Sequence, residues 1–370
     1  MRRRQGEGRG AGARRRATRP ARGARMAQTV VGPVPADALG VTMMHEHLLI
    51  DTTPMLVEPR EASRRTAFHA PLTVNLLGRI RYGGLTNVDN SRLGDVQVAI
   101  EEATLYKQAG GRTIVDATCI GIGRDPRGLL AVAQATGLHV VMGCSYYVTP
   151  GGSAELDLKS EDAIVEEIGR DLLEGVAGTG IRAGIIGEVG CSWPLSPSER
   201  KVLRASGRAQ RLTGAALLVH PGRNEHAPEE LIEVLREVNT DLSRTVMCHL
   251  DRTVAEQTTL KRLAATGCML EYDLFGNEFS YYRPNPDFDM PSDAQRLAWI
   301  AWLVAEGHGN QLLMAHDIAL KHSLVRYGGY GYAHILENIV PRMRRKGFRE
   351  EQIHRMLVDS PRRLLAFHLG

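Results

Sequence analysis

The sequence predicts an α/β protein folded as a (β/α)8 TIM barrel. From residue 40 onward, short apolar runs rich in β-branched residues recur, and each ends near a Gly, His or Asp. An amphipathic helical stretch follows each run, which is the alternation that builds a parallel sheet covered by helices. The rival fold, a doubly wound sheet, should carry a glycine-rich phosphate loop after its first strand, but residues 48–54 contain no glycine.

The predicted strands are nearly continuous apolar runs, as expected when both faces of a parallel strand are covered. Their number matches that of a closed barrel, which has eight strands. In chain order they span residues 41–50, 112–119, 139–147, 183–190, 216–222, 245–251, 268–275 and 311–318.

The stretches between the strands carry helix start and stop signals. Residues 196–199 (SPSE) form a capping box with a proline at the first helical position. Residues 227–230 (APEE) place a proline and two acids in a first turn, and apolar residues follow at helical spacing. Gly137, Gly214 and Gly267 are predicted to end helices just before the next strand.

Two segments interrupt the alternation of strands and helices. Residues 52–97 form an insertion between the first strand and its helix, and residues 276–291 form a long loop after the seventh strand. No internal repeat is visible. We therefore predict one barrel domain over residues 27–370, preceded by a disordered Arg-rich extension over residues 1–26.

Composition and charge separate this extension from the body. The 370 residues are 43% hydrophobic and 24% charged, which is typical of a globular enzyme and excludes a disordered or collagen-like chain. Ten arginines and Glu7 give residues 1–25 a charge of +9, so the formal net charge of +4 leaves −5 for the rest. A basic body that would bind phosphates is therefore not supported, and we predict no nucleic-acid partner. A start of translation at Met26 explains the extension most simply, with a nucleic-acid-binding arm as the alternative.

Cysteine usage and hydropathy indicate the compartment. The five cysteines form no CxxC pair and are odd in number, which favours reduced thiols in a cytoplasmic protein. No run of about 18 apolar residues occurs, so neither a membrane span nor a membrane partner is predicted.

The first strand carries two histidines. His45 and His47 point to the same face of a strand while Glu46 points to the other. Two imidazoles about 7 Å apart along a strand can share a metal ion. An isolated pair of this kind is more often hydrogen-bonded within a core, so the other strands must decide between the two interpretations.

Metal-type residues also lie near the C-terminal ends of other predicted strands, which form the catalytic end of a barrel. They are Glu188, His220, His249 and Asp317, on the fourth, fifth, sixth and eighth strands. Imidazole and carboxylate ligands suit a borderline divalent ion such as zinc, and manganese, cobalt and iron accept the same set. Six ligands suit two ions bridged by a carboxylate and a hydroxide, an arrangement that activates water and polarises a scissile bond.

With these residues in place, the chain resembles the phosphotriesterase family of the amidohydrolase superfamily over about residues 29–367. Longer motifs are similar to the phosphotriesterase-related branch of that family. These motifs are GIIGEVGCSWPLSPSERKVL (184–203), VHPGR (219–223), CHLDRT (248–253), LEYDLFG (270–276), AHDI (315–318) and YGGYGYAHILENIVPRM (327–343).

The resemblance implies a role for each ligand. It implies that His45, His47 and Asp317 hold the more buried ion, that His220 and His249 hold the more exposed one, and that Glu188 bridges both. It also implies that Asp317 accepts the proton of the attacking hydroxide. Members of the family are often homodimers, and the sequence itself carries no sign of assembly.

The chain departs from the family prototype at two positions. The prototype bridges its metals with a carboxylated lysine, where this chain has Glu188. It also has a histidine after the strand-7 aspartate, where this chain has Leu274. Both departures argue against efficient phosphotriester hydrolysis. The branch that shares them implies hydrolysis of N-acyl amides of small acids, such as N-acetyltaurine-like compounds.

Arg223 and Asp273 are candidates for contacts around the substrate. Arg223, just after the fifth strand, can pair with a carboxylate or a sulfonate, and an ion pair with Glu225 or Glu229 is an equal alternative. Asp273, at the end of the seventh strand, can orient His249 or form a purely structural hydrogen bond.

Aromatic residues and neighbours of the ligands complete the set. Trp193 and Tyr330 follow the fourth and eighth strands and are candidates to line the pocket, although packing is the default role for each. Cys248 alternates with His249, so we expect its thiol to face the helix layer, and we reject a cysteine nucleophile. By the same alternation, His316 should turn away from the metals.

Three functions compete at this point. The leading hypothesis is a binuclear metal hydrolase that acts on a small-molecule amide or ester. The second keeps the metals but takes lactones or organophosphate triesters as substrates. The third is a non-enzymatic binding protein whose basic extension contacts nucleic acid, and the complete ligand set argues against it.

Overall fold

The computed structural model describes residues 25–83, 86–148 and 154–367. Within them, eight parallel strands alternate with helices, which confirms the predicted barrel. Each strand lies inside its predicted run but is shorter, because the ends of the runs leave the ladder and enter loops. The barrel strands β1 to β8 are Thr42–Glu46, Thr113–Asp116, His139–Met142, Ile185–Gly190, Ala216–His220, Thr245–Met247, Met269–Tyr272 and Leu312–Met314.

The eight strands form two parallel ladders that join into a closed ring. One ladder contains β1, β2 and β3, and the other runs in order from β4 to β8. The backbone N–H of Gly187 donates to the carbonyl of Cys144 at 2.7 Å, which connects β4 to β3. The N–H of Asp317 donates to the carbonyl of His45 at 3.2 Å, which connects the end of β8 to β1.

Helices cover the outside of the ring. The predicted capping box is present, with hydrogen bonds in both directions between Ser196 and Glu199. Gly137 and Gly214 end their helices in the left-handed conformation, at φ 68° and 73°. The helices that follow β1 to β7, labelled α1 to α7, are Val96–Gln108, Pro126–Thr136, Glu161–Leu173, Pro197–Thr213, Ala227–Glu237, Gln257–Ala265 and Asp293–Ala305.

After β8 the chain finishes with helical segments. These are the π-helix Ile335–Ile339 leading into Val340–Arg345, then Glu350–His354, the π-helix Arg355–Asp359 and Ser360–Leu365. A short helix, Ala154–Leu158, precedes α3. In the part of the chain that the structure describes, no helix has the length and hydropathy that a membrane span requires.

Apolar residues pack in two layers. Met44, Val115, Val141, Ile185 and Leu218 belong to the cluster inside the ring. A larger cluster fills the space between the strands and the helices. The polar candidates therefore lie above an apolar interior, next to the loops that follow the strands.

A hairpin, which no pattern in the sequence predicts, closes the other end of the ring. Met26–Thr29 pairs antiparallel with Gly32–Pro35, so Met26, which we assigned to the extension, begins this hairpin. The carbonyl of Gln28 lies so close to Gly184 that a side chain at position 184 would meet it at 2.3 Å. The rest of the predicted extension, up to residue 24, lies outside the described residues.

The two predicted insertions meet over the C-terminal ends of the strands. Residues 52–97 contain the helices Ala62–His69 and Val74–Gly83, and a short ladder pairs Ile50–Asp51 with Arg92–Leu93. The ring of Tyr82 in this insertion stacks on Tyr281 of the other, with centroids 5.0 Å apart. Together they form a roof above the candidate ligands.

Candidate metal centre and its cavity

All six predicted ligands meet at the C-terminal ends of the strands, with the carboxylate of Glu188 at their centre. Its Oε1 lies 3.4 Å from Nε2 of His45 and 3.2 Å from Nε2 of His47. Its Oε2 lies 2.7 Å from Nδ1 of His220 and 3.1 Å from Nε2 of His249. Each oxygen of the carboxylate therefore faces one pair of histidines, which is the arrangement expected of a bridging ligand.

Asp317 completes the first group of donors. Its Oδ1 lies 3.1 Å from Nε2 of His47 and 3.7 Å from Nε2 of His45. The Asp317 side chain is 20% exposed, whereas the side chain of Glu188 is 3% exposed. Asp317 is therefore the carboxylate of the cluster that can reach a molecule in the cavity.

The donors fit two divalent cations. The ligand atoms of His45, His47, Glu188 and Asp317 lie within 4.8 Å of one another, and so do those of Glu188, His220 and His249. Nδ1 of His220 and Nε2 of His249 face each other at 2.9 Å. Both ring nitrogens of His45 are buried without a hydrogen-bond partner among the described residues. Buried polar atoms left unpaired are costly, and a bound cation would remove that cost.

The local backbone brings these side chains inward. Gly187 precedes the bridging glutamate at φ 117°, and a Cβ there would lie 2.3 Å from the carbonyl of Leu218, so only glycine fits. His249 and Asp317 adopt positive φ angles of 54° and 49°. Non-glycine residues rarely adopt this conformation, and it concentrates at functional sites.

The conformation of His249 also corrects one prediction. Cys248 does not face the helix layer but packs with the apolar residues inside the ring, and its sulfur lies within 4.8 Å of a donor atom of His45. Strand alternation fails because the left-handed turn at His249 ends the extended backbone there. The side chains of Cys248 and His249 therefore both face inward. His316, in contrast, turns away from the ligands as predicted, since its Nδ1 lies 2.6 Å from Oε1 of Glu46.

Hydrogen bonds hold the far sides of the histidine rings. Nδ1 of His249 lies 2.9 Å from Oδ1 of Asp273, and its backbone N–H donates to Oδ2 at 2.9 Å, so Asp273 stands where the sequence predicted a partner for His249. Nδ1 of His47 lies 2.8 Å from Oγ1 of Thr118. Nε2 of His220 lies 3.0 Å from Nη2 of Arg252. Acceptors such as Asp273 and Thr118 fix the orientation of a metal-ligating ring, whereas Arg252 can only donate to Nε2 of His220.

In the metal-free protein, the cluster stabilises both a negative charge on Glu188 and a positive charge on His47. Burial opposes ionisation of Glu188, but the histidines around it, led by His45 and His220, hold its pKa well below the usual value. Burial likewise disfavours protonated His47, yet Asp317 and Glu188 raise its pKa to about 9. Imidazolium groups therefore occupy, in part, the place that cations would take.

This balance predicts how the stability of the metal-free protein depends on pH. Because the folded-state pKa of His47 is about 9 and its ordinary value is 6.5, its contribution is complete below pH 6.5 and is lost as the pH rises through 9. The expected loss is up to about 3 kcal/mol. Urea unfolding of chelator-treated protein between pH 6 and 9.5 measures it. Protein with both ions bound, in which His47 is neutral, should lack this decline. A flat unfolding free energy in the metal-free protein would contradict the assignment.

A cavity of about 200 Å³ opens above the ligands and beneath the two insertions. Of the side chains that line it, one is a carboxylate, Asp317, and four are arginines. The arginines are Arg81, Arg223, Arg252 and Arg283. The cavity therefore favours an anionic ligand.

Arg223 is the arginine best placed to bind such a ligand. Its Nε donates to the hydroxyl of Tyr282 at 2.7 Å, while its Nη atoms have no acceptor among the described residues. The alternative ion pairs are not formed, since Glu229 pairs with Arg262 at 2.6 Å and Glu225 accepts from the backbone of Glu256. The charge of Arg223 is thus left available to a ligand.

The aromatic candidates divide into two groups. Tyr330 lines the cavity, as do Tyr281 and Tyr282. Trp193 does not, because its side chain lies against Gly222 and is 40% exposed at the surface. Tyr147 was missed: its hydroxyl lies 3.4 Å from Nδ1 of His220. Its position at the end of the third predicted strand was the available signal, since strand ends form the site.

Comparisons with known proteins agree with this architecture. The sequence profile of the Phosphotriesterase family matches residues 25–365. "Phosphotriesterase-related protein" from Nematostella vectensis is 43% identical over 345 residues, which cover 92% of this chain and 99% of that protein. "N-acetyltaurine hydrolase" from Bos taurus is 42% identical over 341 residues, covering 92% and 97%. The crystal structure of a resiniferatoxin-binding protein from Rhodobacter sphaeroides superposes with a TM-score of 0.88 at 36% identity, covering 92% and 95%.

Proposed function

The chain belongs to the phosphotriesterase family and is a metal-dependent hydrolase, and we propose that it hydrolyses N-acyl amides of small acids, of the N-acetyltaurine type. The observation that carries this proposal is the guanidinium of Arg223, whose Nη atoms have no acceptor among the described residues and which shares one cavity with Asp317 and His220. Relatives that are 40–42% identical and named N-acetyltaurine hydrolase support it. A sulfonate or carboxylate bound to Arg223 would hold the acyl group of such an amide near the ligand cluster.

The ligand assignment is part of the proposal. His45, His47 and Asp317 would hold one ion, His220 and His249 the other, and Glu188 would lie between them. Zinc suits this donor set best, because imidazole nitrogens predominate over carboxylate oxygens. When bound, the ions would supply a nucleophile from water at neutral pH and polarise the acyl carbonyl.

Asp317 is the proposed proton carrier. Burial opposes its ionisation, but the hydrogen bond with His47 lowers its pKa, so the carboxylate form prevails at neutral pH. Its partial exposure lets it take the proton of the attacking water and deliver it to the leaving amine as the C–N bond breaks. The products are then a carboxylic acid, which loses its proton to solvent, and a free amine.

Replacing Arg223 tests how the substrate is recognised. In Arg223→Met, kcat/KM for acetate release from N-acetyltaurine should fall by about 10- to 100-fold, because a charge-assisted hydrogen bond is lost. N-Ethylacetamide, which has the same amide but no sulfonate, should lose at most about threefold, far less than the charged substrate. Arg262→Met, which removes a surface arginine paired with Glu229, is the matched control. Equal losses on the charged and neutral amides would remove Arg223 from substrate recognition.

The substrate class itself is tested by comparing kcat/KM among the candidate substrates. The zinc-loaded full chain should show a higher kcat/KM for N-acetyltaurine-like amides than for lactones or phosphotriesters. Faster hydrolysis of a lactone or a triester would contradict the proposed substrate class while leaving the metal-dependent hydrolase in place.

A further inference from the structure

Two of the four histidines in the cluster have a hydrogen-bond acceptor on the ring nitrogen that faces away from Glu188. These acceptors are Thr118 for His47 and Asp273 for His249. His220 meets Nη2 of Arg252 on that side, and a guanidinium can only donate. Nδ1 of His45 has no hydrogen bond among the described residues. If Nε2 of His45 binds a cation, Nδ1 carries a proton that needs an acceptor.

Glu271 on β7 is the group best placed to accept it. Its Oε2 lies 3.4 Å from Nδ1 of His45, and the side chain is fully buried. Neither carboxylate oxygen has a hydrogen-bond partner among the residues that the structure describes. A carboxylate with no other function is seldom retained in such a place, since burying it unpaired is costly.

Asp273 lies at the same distance from Nδ1 of His45, 3.4 Å, but it is already engaged. Both of its oxygens interact with His249, one at the ring and one at the backbone N–H. Glu271 and Asp273 are two residues apart at the end of one strand, and both reach the cluster from the same side. One carboxylate is thus available for each of two neighbouring histidines.

We propose that Glu271 is a positioning residue that accepts the Nδ1 proton of His45 and thereby sets the affinity for the ion held with His47 and Asp317. Asp273 does the same, through His249, for the ion on the other side of Glu188. The inference rests on the metal centre of the proposed function and adds a residue that the ligand assignment does not contain. Neighbouring carboxylates of this kind raise the basicity of a histidine ligand and fix its ring.

A third cation beside Glu271 is the competing explanation. A sulfur donor is present, because Cys248, Glu271, Asp273 and His45 bring their ligand atoms within 4.8 Å of one another. Such an ion would require His45 to give up its Nδ1 proton and to ligate through both nitrogens. A hydrogen bond to Glu271 leaves the imidazole in its ordinary neutral form and needs no further ion.

Zinc binding by the full chain distinguishes these possibilities. Competition with a chelator should resolve two dissociation constants in the native protein. Glu271→Leu should raise one of them by about 100-fold, and Glu271→Gln, whose amide oxygen can still accept the proton, by about 10-fold. The other constant should stay within about twofold in both variants. Asp273→Asn should show the reverse selectivity. Anomalous scattering from crystals at limiting zinc would identify the position that each variant empties.

Two readouts separate positioning from a structural role. The melting temperature of metal-free Glu271→Leu should equal or exceed that of the native chain, because the variant removes a buried carboxyl whose oxygens have no hydrogen-bond partner among the described residues. Unchanged zinc constants in both Glu271 variants, or equal weakening of both sites, would overturn the inference while the metal centre stands. A third zinc that disappears in Glu271→Leu and in Cys248→Ala would also overturn it, in favour of a third site. A native chain that binds no zinc would overturn the proposed function as well.

Discussion

Asp317→Asn should reduce kcat/KM for amide hydrolysis by about 10³-fold or more and leave the fold intact. Asparagine preserves the shape of the side chain and one oxygen near His47, but it cannot carry a proton away from water. Stopped assays of acetate release with zinc-loaded protein measure the loss, and a thermal unfolding curve reports on the fold. Asp287→Asn, a change in an exposed residue of the loop over residues 276–291, is the matched control. Native activity in Asp317→Asn would contradict the proposed proton transfer.

Glu188→Gln should release both ions, because each oxygen of Glu188 faces a different pair of histidines. The amide offers one neutral oxygen, and its NH2 group would face imidazole nitrogens on the other side. Zinc content should therefore fall from two ions per chain to less than one, and activity should fall with it. In the metal-free protein, losing the buried anion should cost about 3 kcal/mol or more of unfolding free energy.

The control for this variant is another buried glutamate. Glu102 is 3% exposed and accepts hydrogen bonds from the backbone N–H groups of Val325 and Arg326, outside the cluster. Glu102→Gln should retain two zinc ions even if it is somewhat less stable. Full zinc occupancy in Glu188→Gln would contradict the central place that we give to this carboxylate.

The barrel and its ligand set could be predicted because both rest on periodic features. Apolar runs such as 183–190 mark parallel strands covered on both faces, and the metal-type residues stand where those runs end. The family resemblance then implied which ligands hold each of the two ions. That division stays a prediction, and the geometry around Glu188 supports it.

Features that depend on single backbone angles or on tertiary contacts could not be predicted. The left-handed turn at His249 directs Cys248 inward, and no residue pattern announces it. Trp193 follows the right strand but lies against Gly222 at the surface, since the direction of a loop is set by its packing. Glu271 was passed over because it lies inside an apolar run, where a carboxylate gives no sign of the histidine that it will face. The N-terminal hairpin was too short to produce a clear period.

Zinc titration of metal-free protein, followed by acetate release from N-acetyltaurine, tests whether the chain is a two-metal amide hydrolase. We expect no turnover without metal and a maximum at two zinc ions per chain, with native activity restored by zinc alone. Turnover by the chelated protein, or no acetate release with two ions bound, would contradict it.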